Sequence, residues 1–185
     1  MNVLVTGAAG YIGSVLVNKL LSKGYNVIGI DCLMYGGESL IGVFNHPNFK
    51  FYKADIRDID ILSPILEQVD AIVHLAAIVG DPACAKKPDL ARSINWEGSV
   101  NLLNAAHNIN RIKRFIFAST CSNYGKMEGN NYITEDSPLK PVSLYAELKV
   151  QFEKHLLQND YRADFCPTAL RFATVYGLSP RMRFD

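Results

Sequence analysis

Three glycines near the start of the chain constrain its fold more than any other feature, and they are Gly7, Gly10 and Gly13. They follow an apolar run over Asn2–Thr6, and a helical pattern of apolar residues then extends over Tyr11–Lys23. Side chains at these glycines would hinder a tight turn, keep a pyrophosphate from the backbone or hold the helix off a sheet. The spacing therefore predicts a strand–turn–helix unit that binds a dinucleotide at the helix N-terminus. The alternative is an ordinary strand–helix turn.

Apolar stretches alternate with helix-like stretches along the rest of the chain. Further strands are predicted at Asn26–Ile30, Phe49–Lys53, Ala71–Leu75, Arg114–Ser119 and Ala169–Phe172. Further helices are predicted at Arg57–Gln68, Leu90–His107 and Ser143–Leu157. Strands that are apolar throughout and alternate with helices are typical of a parallel sheet covered on both faces. With right-handed crossovers, the expected fold class is α/β, a doubly wound parallel sheet of Rossmann type.

Composition excludes several other classes of protein. The 185 residues fit one domain, and the net charge of +1 arises from 19 basic and 18 acidic residues without a long block of one sign. No nucleic-acid or membrane partner is therefore expected. The first strand begins within two residues of Met1, which leaves no room for a secretory signal, and no apolar run approaches the ~18 residues of a membrane span. Four scattered cysteines predict neither disulfides nor a metal site, so a cytoplasmic location is expected.

An acidic residue ends the second predicted strand. Asp31 lies 18 residues after Gly13, close to the ~20 expected for the carboxylate that binds the ribose of a dinucleotide. It would repel a 2′-phosphate, and its neighbours Cys32 and Leu33 supply no positive charge. Asp31 therefore favours NAD over NADP, with a solvated loop aspartate as the alternative.

A tyrosine and a lysine share one face of the helix predicted over Ser143–Leu157. Tyr145 and Lys149 are four residues apart, and a nearby ammonium stabilises a phenolate. Such a tyrosine can accept a proton from a sugar hydroxyl while a hydride leaves the carbon. Thr120 follows the fifth strand, at the edge of the sheet where ligands bind, and its hydroxyl is suited to hydrogen-bond the reacting oxygen. An exposed helical pair is the alternative for Tyr145 and Lys149.

Taken together, these motifs resemble the extended short-chain dehydrogenase/reductase family, and within it the nucleotide-sugar epimerases and dehydratases. The resemblance covers nearly the whole chain. It is carried by Thr6–Gly13, Asp31, Asp55–Asp58, His74–Ala77, Asn95, Ser119–Gly125, Tyr145–Lys149 and Leu170–Gly177.

The resemblance implies a role for each matching residue. NAD contacts are implied for Gly7, Gly10, Tyr11, Ile12, Gly13, Asp31, Asp55, Ile56, Leu75, Ala76, Ala77, Ser119, Tyr145 and Lys149. Substrate contacts are implied for Thr120, Ser122, Tyr145 and Thr174. The implied catalytic residues are Thr120 as hydroxyl partner, Tyr145 as acid/base and Lys149 as ligand of the nicotinamide ribose. For Asp55 and Ile56, placed in the adenine pocket, a surface loop is the alternative. A nucleotide-sugar substrate and a homodimer are also implied.

The two residues that directly follow Thr120 distinguish the reaction types within this family. The 4,6-dehydratases place Asp-Glu where this chain has Cys121 and Ser122, and without carboxyl groups that elimination loses its acid and base. Members that epimerise next to a carbonyl place a cysteine at the position of Ser122. These departures favour 4-epimerisation. Cys121 is expected to be a small packing residue, with a role as a base as the alternative.

Other side chains allow less specific expectations. Many relatives have asparagine where this chain has Thr174, so the identity of the substrate stays open. Arg171, Arg181 and Arg183 are candidate diphosphate ligands, with ion-paired or solvated surface arginines as the alternative. His74 is expected to be packed and hydrogen-bonded rather than catalytic.

The resemblance also implies how the chain is divided. Residues 1–177 are expected to form the NAD-binding Rossmann domain and residues 178–185 the start of a C-terminal substrate lobe, which is otherwise largely absent from this chain. Three functions remain open. The favoured one is an NAD-dependent nucleotide-sugar epimerase that acts through a transient 4-keto sugar. The others are a nucleotide-sugar dehydratase or reductase, and a non-catalytic NAD-binding module.

Overall fold

Six parallel strands form one sheet in the computed structural model, which describes residues 1–126 and 132–182. The strands are β1 (Asn2–Thr6), β2 (Asn26–Asp31), β3 (Phe49–Lys53), β4 (Ala71–His74), β5 (Arg114–Thr120) and β6 (Cys166–Phe172). Their order is β3-β2-β1-β4-β5-β6. The order reverses between β1 and β4, which is where such sheets open a ligand crevice at the strand carboxyl ends. The predicted fold class is confirmed.

Six α-helices accompany the sheet within the described ranges. They are α1 (Tyr11–Ser22), α2 (Ile59–Leu66), α3 (Asp81–Lys86), α4 (Pro88–Arg92), α5 (Ser99–His107) and α6 (Leu144–Gln158). Short 3-10 helices occupy Glu38–Val43 and Cys121–Tyr124. Helix α2 begins two residues later than predicted because the Asp58 side chain caps it by accepting a hydrogen bond from the Ile61 amide, and it ends at Leu66 rather than Gln68.

The predicted single helix over Leu90–His107 is interrupted. A π-helical turn at Ser93–Gly98 separates α4 from α5. The Ser99 hydroxyl donates a hydrogen bond to the Ile94 carbonyl in this turn at 3.4 Å. Such single π turns occur often at functional sites.

The core divides between the two faces of the sheet because side chains alternate along each strand. Leu4 and Ile72 pack on the face covered by α2, α5 and α6, whereas Val3 and Val5 pack on the face covered by α1 and the 3-10 helix at Glu38–Val43. At the β6 edge the described residues cover one face less completely, since Leu170, which lies on the same face as Ala118 of β5, is 40% exposed.

None of the helices in the described part of the chain has the length and apolar content that a membrane crossing requires.

Candidate functional site

A cavity of about 1020 Å³ opens at the carboxyl ends of the strands. Every residue for which an NAD contact was predicted lines it, from the glycine turn through Asp31 and Asp55 to Tyr145 and Lys149. A volume of this size is at the upper end of the range for ligand pockets. Thr120, Ser122 and Thr174 do not line it, so their predicted substrate contacts have no support from this cavity.

The glycine turn packs so closely against neighbouring backbone that Gly7 and Gly13 cannot carry side chains. Gly7 has φ +71°, and a Cβ there would lie 2.8 Å from the backbone nitrogen of Ala76. A Cβ at Gly13 would collide with the carbonyl oxygen of Gly7. The turn and the closely packed helix therefore depend on the missing Cβ atoms.

The N-terminus of α1 offers uncapped amide groups to the cavity. Within the described residues, no side chain caps α1 at Gly10 and no acidic residue lies in its first turn. By contrast, Ser143 caps α6 by accepting a hydrogen bond from the Ala146 amide. An uncapped N-terminus with its partial positive charge is a binding site for anions such as phosphate. The turn and α1 together fit a pyrophosphate.

Asp31 is held in a fixed orientation at the edge of the cavity. Its Oδ2 accepts a hydrogen bond from the Ala9 amide at 3.0 Å, and its Oδ1 accepts one from the Leu33 amide at 2.8 Å. Burial raises the pKa of this carboxyl, and the two amides and Arg181 oppose the increase. An oriented carboxylate here is suited to accept hydrogen bonds from ribose hydroxyls.

Asp55 lies on the neighbouring wall of the cavity and is paired with Arg57. Arg57 donates from Nε to Asp55 Oδ1 at 3.0 Å and from Nη2 to Oδ2 at 2.7 Å. The hydrogen bonds from Arg57 lower the pKa of Asp55. Ile56 is buried. Asp55 and Ile56 thus line the cavity, whereas the alternative had placed them on a plain surface loop.

The lysine of the predicted catalytic set is buried, which contradicts the alternative of an exposed helical pair. Lys149 is 4% exposed, and its Nζ donates a hydrogen bond to the Ala118 carbonyl at 2.8 Å. Nζ lies 5.8 Å from the centroid of the Tyr145 ring. Burial lowers the pKa of Lys149 to about 8, so the ammonium form still dominates at neutral pH. Tyr145 is half-buried and lines the cavity.

Thr120 is the last residue of β5 and the N-cap of the 3-10 helix at Cys121–Tyr124. Its hydroxyl donates to Ser122 Oγ at 3.2 Å and accepts from the Ser122 amide at 3.2 Å. Cys121 is exposed, so its interpretation as a packing residue is wrong. Thr174 is also exposed, in the segment after β6.

His74 is packed and hydrogen-bonded, as predicted. The Thr6 hydroxyl accepts hydrogen bonds from the amides of Leu75 and Ala76 at 3.2 Å each and lies 2.8 Å from His74 Nδ1. The hydroxyl proton therefore points to Nδ1, which places the ring proton on Nε2, 2.9 Å from Ser99 Oγ. Burial lowers the pKa of His74 to about 3. A neutral histidine thus links the π turn to the segment that lines the cavity after β4.

A buried acidic residue on α6 was missed from the sequence. Glu153 is 2% exposed and accepts hydrogen bonds from Ser119, Asn123 and Arg171. Its position four residues after Lys149 places it on the inward face of α6, and a charged residue on that face was the only available signal. Arg171 is committed to Glu153, which contradicts its prediction as a diphosphate ligand and agrees with the ion-paired alternative.

The segment after β6 returns to the glycine turn. The Tyr11 hydroxyl donates to the Gly177 carbonyl at 2.5 Å, and the Ser179 hydroxyl donates to the Tyr11 carbonyl at 2.7 Å. Arg181 lines the cavity, with its guanidinium 5.4 Å from the centroid of the Tyr35 ring. Arg183 lies outside the described residues. Over the ranges 1–126 and 132–182, no cluster of three or more His, Cys, Asp or Glu side chains could hold a metal ion.

Comparison with known proteins gives a consistent result. Residues 3–185 match the model of the NAD dependent epimerase/dehydratase family. The chain is 38% identical over 181 residues to a UDP-glucose 4-epimerase of Lactobacillus helveticus, covering 97% of this chain and 53% of the relative. It is 39% identical over 181 residues to a UDP-glucose 4-epimerase of Mycolicibacterium smegmatis, covering 96% and 57%.

Solved structures with the same fold include two epimerases. The UDP-glucuronic acid 4-epimerase of Bacillus cereus, in complex with UDP-glucuronic acid and NAD, superposes with a TM-score of 0.86 at 33% identity, covering 98% of this chain and 60% of that one. The UDP-glucose 4-epimerase of Thermotoga maritima, with UDP-glucose, gives 0.85 at 34% identity, covering 96% and 57%. The chain thus spans about half the length of the curated relatives it matches.

Proposed function

This chain belongs to the NAD dependent epimerase/dehydratase family, and on that premise we propose that it is the NAD-binding part of a nucleotide-sugar 4-epimerase. One observation carries the proposal: the uncapped N-terminus of α1, the oriented Asp31 and the pair Tyr145–Lys149 all line the same cavity. The first two fit a dinucleotide, and the third supplies an acid/base beside it.

The residues of the cavity fit NAD along its length. The glycine turn and the α1 N-terminus would hold the pyrophosphate, Asp31 the adenosine ribose, and Asp55 with Ile56 the adenine. Lys149 would bind the nicotinamide ribose. When bound, NAD supplies a reversible hydride acceptor. Since a carboxylate at Asp31 repels a 2′-phosphate, NAD is favoured over NADP.

Tyr145 carries the proton chemistry in this proposal. Its phenolate oxygen accepts the proton of the sugar 4-hydroxyl. After the transient 4-keto sugar has rotated to present its opposite face to the cofactor site, the phenol returns that proton to the 4-oxygen. Lys149 stays protonated at neutral pH, and its ammonium stabilises the phenolate through space. The bond from Lys149 Nζ to the Ala118 carbonyl fixes the lysine relative to β5.

Thr120 assists at the reacting oxygen in this proposal. Its hydroxyl donates to Ser122 Oγ in the structure, and it has to exchange that bond for one to the 4-oxygen of the sugar. The dehydratase alternative is weaker, because Cys121 and Ser122 offer no carboxyl acid or carboxylate base next to Thr120. The division at residue 177 and the homodimer stay predictions.

The proposal is tested by incubating the purified protein with UDP-glucose, UDP-N-acetylglucosamine or UDP-glucuronic acid in D₂O. We expect one 4-epimer without deuterium bound to carbon, since the hydride that leaves C4 returns to C4. Tyr145→Phe should lower turnover by ~1,000-fold and retain NAD. A water-loss product, net NADH consumption, or no turnover by a protein that retains NAD would support the dehydratase, the reductase and the non-catalytic module, respectively.

A further inference from the structure

The buried Glu153 lies at the meeting point of four elements. Its Oε1 accepts hydrogen bonds from Arg171 Nε at 2.8 Å and Nη2 at 2.5 Å. Its Oε2 accepts from Ser119 Oγ at 2.5 Å and Asn123 Nδ2 at 3.2 Å. One carboxylate on α6 therefore connects the end of β5, the 3-10 helix at Cys121–Tyr124 and β6.

The carboxylate also orients the neighbouring amide. Asn123 Nδ2 donates to both Glu153 Oε2 and Ser119 Oγ. Asn123 Oδ1 has no hydrogen-bond partner within the described residues. The opposite orientation would place Oδ1 against Oε2, so the carboxylate determines the orientation although one buried oxygen remains unpaired.

Arg171 extends the hydrogen-bond network of Glu153 to Tyr124 and Glu135. Its Nη1 donates to the Tyr124 hydroxyl and to the Glu135 carbonyl, each at 2.7 Å. Its guanidinium also lies 5.2 Å from the centroid of the Tyr124 ring. The pair Glu153–Arg171 thus contacts Ser119, directly before Thr120, and also Asn123 and Tyr124 at the end of the 3-10 helix.

From these contacts we infer that Glu153 is a positioning residue, which, together with Arg171, sets the distance between Thr120 on β5 and Tyr145 on α6. The inference rests on the proposed function, because it concerns the placement of that catalytic set. Glu153 and Tyr145 are two helical turns apart on one helix, so the carboxylate fixes the position of β5 relative to the tyrosine without contacting a substrate. A displacement of about 1 Å at such a set costs ~100-fold in rate.

Glu153→Gln is the most informative single variant. The glutamine keeps the volume but replaces one acceptor oxygen with an amide donor, which must face either Arg171 or the pair Ser119 and Asn123. We expect ~10-fold faster hydrogen exchange in residues 119–126 and unchanged exchange in residues 7–13. Turnover should fall by ~100-fold with unchanged NAD affinity. Glu147→Gln, at an exposed position of the same helix, is the matched control. It should change neither hydrogen exchange in residues 119–126 nor turnover.

A double variant separates positioning from stability. Replacing a buried ion pair with apolar residues of similar size commonly retains or regains stability, so Glu153→Leu/Arg171→Met should recover most of the Tm that Arg171→Met alone loses. If its turnover stays ~100-fold low, positioning is supported. Recovery of turnover together with Tm would overturn the inference, as would wild-type turnover of Glu153→Gln. If the wild-type protein lacks turnover, the proposed function fails, and hydrogen exchange in residues 119–126 alone decides the inference.

Discussion

The two halves of the cavity are built in different ways. In the turn half, formed by Gly7–Gly13 and Asp31, the backbone provides the surface, and Gly7 and Gly13 are required because a Cβ would collide with the backbone. In the helix half, side chains of α6 provide the surface, namely Tyr145 and the buried Lys149. Glu153 lies on the same helix outside the cavity, and the buried charges of Lys149 and Glu153 are both hydrogen-bonded. Gly7 and Gly13 are thus selected by the space available, whereas Asp31 and the charged residues of the helix half are selected by their hydrogen-bond partners.

This difference predicts which substitutions each half tolerates. The glycines of the turn half should be sensitive to added volume, even a single methyl group. Asp31 and the side chains of the helix half should instead be sensitive to lost charge or lost hydrogen bonds at constant volume.

Gly13→Ala is expected to have the largest effect in the turn half. The added Cβ would collide with the Gly7 carbonyl, so the turn must open, which should cost about 1–3 kcal/mol of unfolding free energy. NAD affinity, measured by calorimetry, should fall by ~100-fold because the amides of α1 move. The control is Gly42→Ala, where a Cβ meets nothing within 4 Å. Wild-type affinity in Gly13→Ala would contradict the steric explanation.

Asp31→Asn changes charge in the turn half without adding volume. One of the two amides that now donate to the carboxylate would face an NH₂ group, and the ribose would lose a charged acceptor. NAD affinity should fall by ~10- to 100-fold, and discrimination against NADP should shrink. Asp60→Asn, at an exposed position on α2, controls for net charge. Unchanged discrimination would show that the carboxylate does not select the cofactor.

His74 should make stability depend on pH. Its pKa is about 3 in the folded protein and ~6.5 in the unfolded chain. The unfolded state therefore binds more protons between these values, and the contribution of His74 to stability, complete above pH ~6.5, is lost as the pH falls towards 3. The rings of Phe115, Phe117 and Phe152 surround it, and Lys149 is the charged group that acts on it.

Because His74 gains a proton in the unfolded chain, the free energy of unfolding should fall by about 1 kcal/mol between pH 6 and 5. Chemical denaturation of wild type and His74→Gln at both pH values measures the difference. An NMR titration of the His74 ring provides a second test if the variant does not fold. A ring that is protonated at pH 5 would contradict the assignment of a neutral His74.

Cys121→Ser should have the smallest effect. The side chain is exposed, so unfolding free energy should change by less than about 0.5 kcal/mol. Turnover should stay at the wild-type level, because 4-epimerisation needs no base at this position. A large loss of turnover with intact stability would favour the alternative in which Cys121 acts as a base.

The two halves also differ in how far the sequence predicts them. The turn half depends on local spacing, and Gly7, Gly13 and Asp31 could be located from the residues that separate them. Strands β1, β2 and β4 could be located because each is an apolar run bounded by polar residues, whereas β6 begins at Cys166, three residues before its predicted start. The partnership of Glu153 with Ser119 and Arg171 joins residues from three elements, and no local pattern marks it.

Short-range geometry accounts for the other differences between the elements predicted from the sequence and those in the structure. Helix α3 at Asp81–Lys86 is too short to show a helical period. The π turn at Ser93–Gly98 keeps the apolar character of a regular helix, so its extra residue per turn leaves no signal in the composition. The exposure of Cys121 follows from the 3-10 helix that begins after Thr120, whereas cysteine is usually buried.

The central claim is that the cavity binds NAD, and it is tested most directly by mass spectrometry of the small molecules released when freshly purified protein is denatured. We predict that NAD is released, from the wild-type protein and equally from Tyr145→Phe. Release of NADP instead, or no release together with no binding of added NAD in calorimetry, would contradict the claim.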